Sequence, residues 1–259
     1  MEPTLLVVAT WLLFFSTHIG LTSEPFRGAL VRQLGNRGFF VLFYVVAAVT
    51  FTLWVAVTAA VRLEGLPGLA LGGHLVVRTL AIGVIVSGLS LSAAGLASYP
   101  STPMALPFNP VRAPRGVERI TRHPFFAGLT LFAVGHVLIV PTLAAAVFFA
   151  GLAFQAVVGA AHQDRKLAAR RGQPYRDYLA QTSALPFAAI LFGRQRFSAF
   201  EQPWIAYSAG ALLAPGLHQV HAHLFDHGGL WIVASVLGGT AYFGRQALRV
   251  GPVRKPQHV

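Results

Sequence analysis

The chain has 259 residues, of which 55% are hydrophobic and 11% charged, and its formal net charge is +12. A soluble domain carries about 25% charged residues, so this composition argues against an ordinary globular protein and favours a polytopic membrane protein. Cysteine is absent, which excludes disulfides, thiol catalysis and cysteine-ligated zinc or iron–sulfur centres.

Apolar segments long enough to cross a bilayer recur along the chain, and a membrane helix needs roughly 20 such residues. They predict five to seven membrane-spanning helices, and seven is the number that we expect. In chain order the segments are residues 3–21, 38–60, 75–97, 125–140, 142–161, 204–225 and 229–242. We therefore predict an all-α integral membrane bundle that forms a single domain over residues 1–259.

The basic residues lie almost entirely on alternate connections between these segments, and only Arg62 and Arg78 depart from the pattern. Loops rich in lysine and arginine stay on the cytoplasmic side of a membrane. This distribution predicts an outside N-terminus and a cytoplasmic C-terminus. It also explains the positive charge by topology, with affinity for anionic lipid and no need of nucleic acid.

The long connection over residues 162–203 has predicted structure of its own. It begins with a continuation of the fifth apolar segment over residues 163–171. Gly172 and Pro174 then break that helix, because proline removes a backbone donor and glycine favours helix ends. A short amphipathic helix is predicted over residues 175–182.

Histidines inside or beside apolar segments are candidates for a functional site, because an ionisable group in a membrane is costly. His18, His123 and His162 are all placed near the cytoplasmic ends of their segments and could share one site. His136 lies about 20 Å above His123 at 1.5 Å per residue. The alternatives are hydrogen bonds between helices for His136 and contacts with lipid headgroups or carboxylates for His123 and His162.

Two histidines from different helices can supply the axial ligands of a b-type haem. Small side chains over residues 83–95 would leave room for the macrocycle, although close helix packing explains them equally well. A further group at the outer end of the sixth segment is either a solvated loop or a metal site. It consists of His218, His221, His223, Asp226 and His227.

Five strings occur in a fixed order along the chain, and together they resemble the NnrU family of bacterial membrane proteins. The family is in turn similar to the 15-cis-zeta-carotene isomerases of plants and cyanobacteria. The strings are FFSTHIGL at 14–21, RITRHPFFAG at 119–128, GH at 135–136, DRKL at 164–167 and TSALPFAAILFG at 182–193. The resemblance covers roughly residues 5–195, so residues 1–197 form an NnrU-like core and residues 198–259 add two helices.

The resemblance implies a membrane protein that binds haem b and acts in denitrification, nitrogen-oxide or redox metabolism, or that isomerises a polyene such as zeta-carotene. His18 and His136 fall on the family's iron-ligating and catalytic positions, whereas depth along the helices favours His18 with His123. The isomerases' cysteine is replaced here by Ala133. A thiolate ligand is therefore not available in this chain.

The resemblance and the charges of the remaining motif residues suggest further cofactor contacts. Arg122 and His123 would pair with haem propionates or orient the site, and Arg165 and Lys166 are further propionate candidates. Asp164 is expected to pair with Arg122 or Lys166. The implied setting is a bacterial inner membrane, and the implied partners are lipid, an apolar small-molecule substrate and a membrane oxidoreductase.

Two other function classes are compatible with the same strings. Arg122 and His123 followed by residues 172–178 also resemble isoprenylcysteine and phospholipid methyltransferases, in which such residues hold S-adenosylmethionine. The two glutamates of those enzymes are replaced here by Gln163 and Asp164. The third class is a non-catalytic assembly factor for a membrane oxidoreductase.

Overall fold

The computed structural model describes residues 2–24, 26–104 and 110–249, with side chains up to Tyr242. Within these ranges the chain forms ten α-helices and no β-strand. The helices are α1 (Pro3–Thr22), α2 (Phe26–Val61), α3 (Leu75–Ser98), α4 (Val117–Ile120), α5 (Pro124–Ile139), α6 (Leu143–Arg171), α7 (Gln173–Gln181), α8 (Ala188–Leu191), α9 (Trp204–Gln219) and α10 (Asp226–Arg249).

The chain is an all-helical membrane protein, and four helices of its described part are long and apolar enough to cross a bilayer. They are α1, α2, α3 with the turn that follows it, and α6, whereas α5 is apolar but shorter. The predicted count of seven spans and the predicted orientation stay predictions.

Several predicted boundaries agree closely with the helices, and two need correction. The fifth segment continues to Arg171 and a short helix follows from Gln173, as the sequence predicts. The second helix starts at Phe26 rather than at residue 38, with a break at Gly35, whose φ of 68° suits glycine. The predicted span over residues 204–225 is wrong at its end, because α9 stops at Gln219 and a short 3₁₀ turn follows.

The longer helices form a row of neighbours in which each packs against the next. The order across the bundle is α9, α3, α5, α6, α1, α2 and α10. The principal apolar core lies between α1, α2 and α6 and is dominated by rings. Trp54 is completely buried there, with Phe14, Phe51, Phe148 and Phe149 around it.

Helices α3 and α5 approach each other unusually closely because glycines face each other. A Cβ atom on Gly88 would lie 2.5 Å from the backbone nitrogen of Phe132. One on Gly128 would lie 2.5 Å from the carbonyl oxygen of Gly88. Small residues of this kind let membrane helices pack backbone to backbone. This contact fixes the position of α5, and with it His136 on the helix and His123 just before it.

Candidate functional site

A buried carboxylate, Asp164 of α6, joins three parts of the chain. The Arg122 side chain donates from Nε to Oδ2 of Asp164 at 2.9 Å, and the Tyr175 hydroxyl donates to Oδ1 at 2.9 Å. Nε2 of His123 lies 3.0 Å from the same Oδ1. The expected pairing of Asp164 with Arg122 is confirmed. We call these four residues the Asp164 cluster.

The sequence around the Arg-His-Pro motif explains why Arg122 and His123 turn inward. His123 precedes Pro124, the first residue of α5, where the missing backbone N–H leaves no donor unsatisfied. The Arg122 backbone N–H donates to the Ser183 carbonyl at 2.8 Å, and the Thr121 hydroxyl donates to the Ala184 carbonyl at 2.8 Å. These bonds hold the segment before α5 in an extended path beside residues 183–187.

Tyr175 is a member of the cluster that residue-by-residue reading of the sequence did not single out. Its side chain is fully buried and stacks on Tyr178 with ring centroids 5.7 Å apart. Burial, with the negative charge of Asp164, raises the pKa of the Tyr175 hydroxyl above its usual value. The hydroxyl therefore stays protonated and donates to Asp164. The amphipathic pattern of α7 was the signal that could have identified its buried face.

His18 lies in a different place, on the side of α6 that faces α1. Its ring contacts Phe14 and Phe43, each at a centroid distance of 5.1 Å, and its Nδ1 is buried with no hydrogen-bond partner in the described part of the chain. The nearby titratable groups are Lys166 and His162.

The register between α1 and α6 places His18 along the bundle. A Cβ atom on Gly151 would meet the ring of Trp11, and Nε2 of His162 lies 3.2 Å from the Thr22 hydroxyl. The two helices therefore run parallel with matching positions, which puts His18 about one turn from His162. Asp164 is two residues further along α6 and so points to the opposite side.

The expected grouping of His18, His123 and His162 in one site is therefore divided in two. His123 belongs to the Asp164 cluster, whereas His18 and His162 lie across α6 from it. Lys166 follows His162 by one turn and shares its face, while Arg165 is exposed. Of the cations expected to bind cofactor, Arg122 is paired with Asp164 and Lys166 is the one beside His18.

His136 is buried near the opposite end of α5. Its Nδ1 lies 2.8 Å from the Phe132 carbonyl, and its ring stacks on Phe149 with centroids 4.3 Å apart. Since a carbonyl can only accept, a neutral imidazole here carries its proton on Nδ1. The Nε2 lone pair is then available for a metal ion.

His18 and His136 are each suited to be a single axial ligand of a haem iron, but the fold does not place them together. His136 stacks on Phe149, whereas His18 is level with residue 158 of α6, about 14 Å further along at 1.5 Å per residue. A series of aromatic rings also lies between them. Phe14 contacts Trp54, Trp54 contacts Phe148, and Phe148 contacts Phe149. In this arrangement a single haem iron could be bound by His18 or by His136, but not by both.

The outer histidines do not assemble into a metal site. His223 lies with Nδ1 2.8 Å from Oδ2 of Asp226, and both side chains are exposed. His221 instead stacks beside His136 at a centroid distance of 6.4 Å. Within residues 2–24, 26–104 and 110–249, no three histidines or carboxylates are close enough to hold a metal ion.

Comparison with known proteins identifies relatives over most of the chain. Residues 6–228 match the NnrU protein family, so the match continues beyond residue 195, through α9, to the first residues of α10. The chloroplastic 15-cis-zeta-carotene isomerase of Arabidopsis thaliana is 30% identical over 211 residues, which cover 75% of this chain and 52% of that protein. The corresponding isomerase of Zea mays is 32% identical over 140 residues, covering 48% of this chain and 38% of that protein.

The chain thus spans about half the length, or less, of these curated relatives. No solved structure matches it.

Proposed function

The chain belongs to the NnrU family, and from this we propose that it is a membrane-bound isomerase of a long apolar polyene of the zeta-carotene type. The observation that carries the proposal is the 211-residue match to a protein named as such an isomerase. We further propose that it resides in a bacterial inner membrane, with its basic loops on the cytoplasmic side.

A membrane location suits this substrate class. A polyene of this type dissolves in lipid rather than in water, so it reaches the protein within the bilayer. Helix α2 presents lipid-accessible apolar side chains, among them Val41, Val45 and Val49. The half-buried His18 and the buried His136 then lie on apolar helices that such a substrate could approach from the lipid.

We propose haem b as the cofactor, with His18 or His136 as an axial ligand. When bound, haem supplies a redox-active iron that can exchange an electron with a conjugated substrate. The Phe132 carbonyl would hold His136 in the metal-binding tautomer. Lys166, next to His18, is the predicted cation best placed to pair with a propionate.

The first experiment is spectroscopic and separates the histidines. Visible absorption spectra of the protein, purified in mild detergent, are recorded in the oxidised and the dithionite-reduced state. A pyridine haemochrome assay gives the haem stoichiometry. We expect a b-type spectrum that is lost in one of the two variants His18→Ala and His136→Ala, which identifies the ligand, and that is retained in the other and in His223→Ala, an exposed control. A protein that stays colourless when expressed with added haem precursor contradicts the cofactor proposal.

The second experiment tests the reaction itself. Reduced protein in lipid vesicles is incubated with 15-cis-zeta-carotene, and the isomers are separated by chromatography. We expect conversion that exceeds the conversion in protein-free vesicles and in heat-inactivated protein. Unchanged isomer ratios with a haem-loaded sample contradict the isomerase proposal and leave a redox or nitrogen-oxide role.

One specific observation favours the alternative that the protein is a methyltransferase. Arg122, His123 and Asp164 do converge, as cofactor-binding residues of that class would. The carboxylate of Asp164 is, however, already occupied by hydrogen bonds from Arg122 and Tyr175. This alternative requires saturable S-adenosylmethionine binding that is weakened in Asp164→Asn, whereas the isomerase requires none. An assembly factor would show neither binding nor turnover.

A further inference from the structure

The connection between α7 and α9 exposes an unusual number of large apolar side chains. We call residues 185–205 the apolar connection. Its exposed members have relative exposures from 47% to 103%. They are Leu185, Phe187, Leu191, Phe192, Phe197, Phe200, Trp204 and Ile205. Large apolar side chains exposed in such number along one connection, which we also call the patch, indicate a binding surface, yet none of the described helices that could span the membrane contains them.

The patch is held rigidly rather than left loose. Backbone N–H of Phe187 donates to the Ile120 carbonyl at 2.8 Å, and Phe187 adopts a φ of 63°, which is rare for a bulky residue. The Arg194 side chain donates from Nη1 to the carbonyls of Ala180 and Thr182 at 3.1 and 3.0 Å. These bonds fix the backbone in a conformation that directs the large side chains outward.

The charge around the patch is positive. Arg194 and Arg196 lie within it, and both are exposed. Its acidic residue, Glu201, is neutralised by Arg119, whose Nε and Nη2 donate to the carboxylate at 3.0 Å each. An apolar surface whose two arginines have no carboxylate partner in the described part of the chain is complementary to anionic lipid headgroups above hydrocarbon.

The apolar connection is also continuous with a lipid-accessible helix face. It runs directly into α9, where Leu212 is 73% and Leu213 is 51% exposed. The indole N–H of Trp204 donates to the Ala199 carbonyl at 2.8 Å and leaves the ring exposed. Tryptophan at the start of a lipid-facing helix is typical of the membrane–water interface.

We propose that the apolar connection inserts into the boundary between headgroups and acyl chains of an anionic leaflet, as an interfacial anchor without crossing the membrane. Residues 183–187 are bonded to the segment before α5. The anchor therefore sets the depth of Arg122 and His123, and with them the Asp164 cluster, at the level of the headgroups.

The absence of cysteine makes a direct test possible. Single-cysteine variants Leu191→Cys, Phe192→Cys and Phe200→Cys are spin-labelled in phosphatidylcholine–phosphatidylglycerol vesicles. Electron paramagnetic resonance then compares collisions with oxygen, which concentrates in lipid, and with a water-soluble nickel chelate. Val49→Cys on the lipid-accessible face of α2 is the buried-in-lipid control, and Gln181→Cys, on the exposed end of α7, is the water control.

We expect the three labels to collide several-fold less with the nickel chelate than the label at residue 181 does, and to have an oxygen accessibility between those of the labels at residues 181 and 49. In vesicles of phosphatidylcholine alone, the labels should become shallower, because the arginines lose their anionic partners. Unchanged depth would contradict the anionic preference. Nickel accessibility equal to that at residue 181 would overturn the proposal. Spin–spin broadening that disappears on dilution with unlabelled protein would assign the patch to a second copy and also overturn it.

Discussion

The Asp164 cluster offers the most direct test of the packing at the basic end of the bundle. Replacing Asp164 by Asn keeps the size of the side chain but removes its charge. The amide has one oxygen, so it can accept from Arg122 or Tyr175 at the present distances of 2.9 Å, while its NH₂ group faces the other donor. Arg122, whose side chain is 16% exposed, then loses its buried counter-ion.

The cost follows from the low exposure of both partners. Removing one member of a buried ion pair costs about 3–5 kcal/mol, because the remaining charge stays desolvated. For a chain of this size, each kcal/mol lowers the melting temperature by about 2–4 °C. We therefore expect Asp164→Asn to lower the melting temperature by about 6–20 °C.

The assay is thermal unfolding in detergent, with Asp177→Asn as a matched control. Asp177 is an exposed carboxylate on α7 that accepts only from Gln173, at 2.7 Å in the described contacts. Its replacement should change stability by no more than about 0.5 kcal/mol. If both variants melt at the same temperature, the Asp164 cluster does not stabilise the fold in the way that its geometry indicates. The double variant Arg122→Gln, Asp164→Asn should lose less stability than the sum of the losses in the two single variants, because the two residues contact each other.

Three further predictions follow from the same contacts. Tyr175→Phe should cost about 1.5–3 kcal/mol, the value of one hydrogen bond to a charged group, and so less than Asp164→Asn in the same melting assay. Gly128→Ala should destabilise by about 1–3 kcal/mol through overpacking against α3, whereas Gly20→Ala, which meets no atom within 4 Å, should not. A melting temperature for Gly128→Ala equal to that of Gly20→Ala would show that α3 and α5 are not in close contact. The Gly116 backbone N–H and Arg119 hold the pKa of Glu201 below its ordinary value of 4.5, so this carboxylate stabilises the start of α9 at neutral pH and the contribution disappears as pH falls through the folded pKa. Amide hydrogen exchange of α9, corrected for the intrinsic rate, should become faster on acidification. In Glu201→Gln it should already be faster at neutral pH. Equal protection in both proteins at neutral pH would contradict a stabilising role of the bonds from Gly116 and Arg119 to Glu201.

Much of the local architecture follows from the sequence because it depends on neighbouring residues. Apolar segments of sufficient length predict α1, α3 and α6 nearly to the residue, since a run of apolar side chains favours a membrane helix by itself. Gly172 and Pro174 likewise predict the break between α6 and α7. The pairing of Asp164 with Arg122 was expected because a buried charge needs an opposite charge nearby.

Other features depended on which helix faces which. The early start of α2 was missed because residues 26–37 carry three arginines and lack the apolar signature of a span. Depth along each helix, calculated at a constant rise, placed His18, His123 and His162 at similar levels, but rise gives no information on direction around the axis. His18 and His162 lie on one side of α6, and His123 lies on the other.

Length, apolar composition and motif order by themselves determined that this chain is a helical membrane protein of the NnrU family. They also determined the bounds of α1, α3 and α6 and the break before α7, because those signals are local. The tertiary structure alone decided that His123 joins Asp164 and Tyr175, and that rings separate His18 from His136. The physical reason is that a contact between helices requires the rotation and register of both partners. In this bundle the close approach of glycines on α3 and α5 and the parallel packing of α1 on α6 set these quantities.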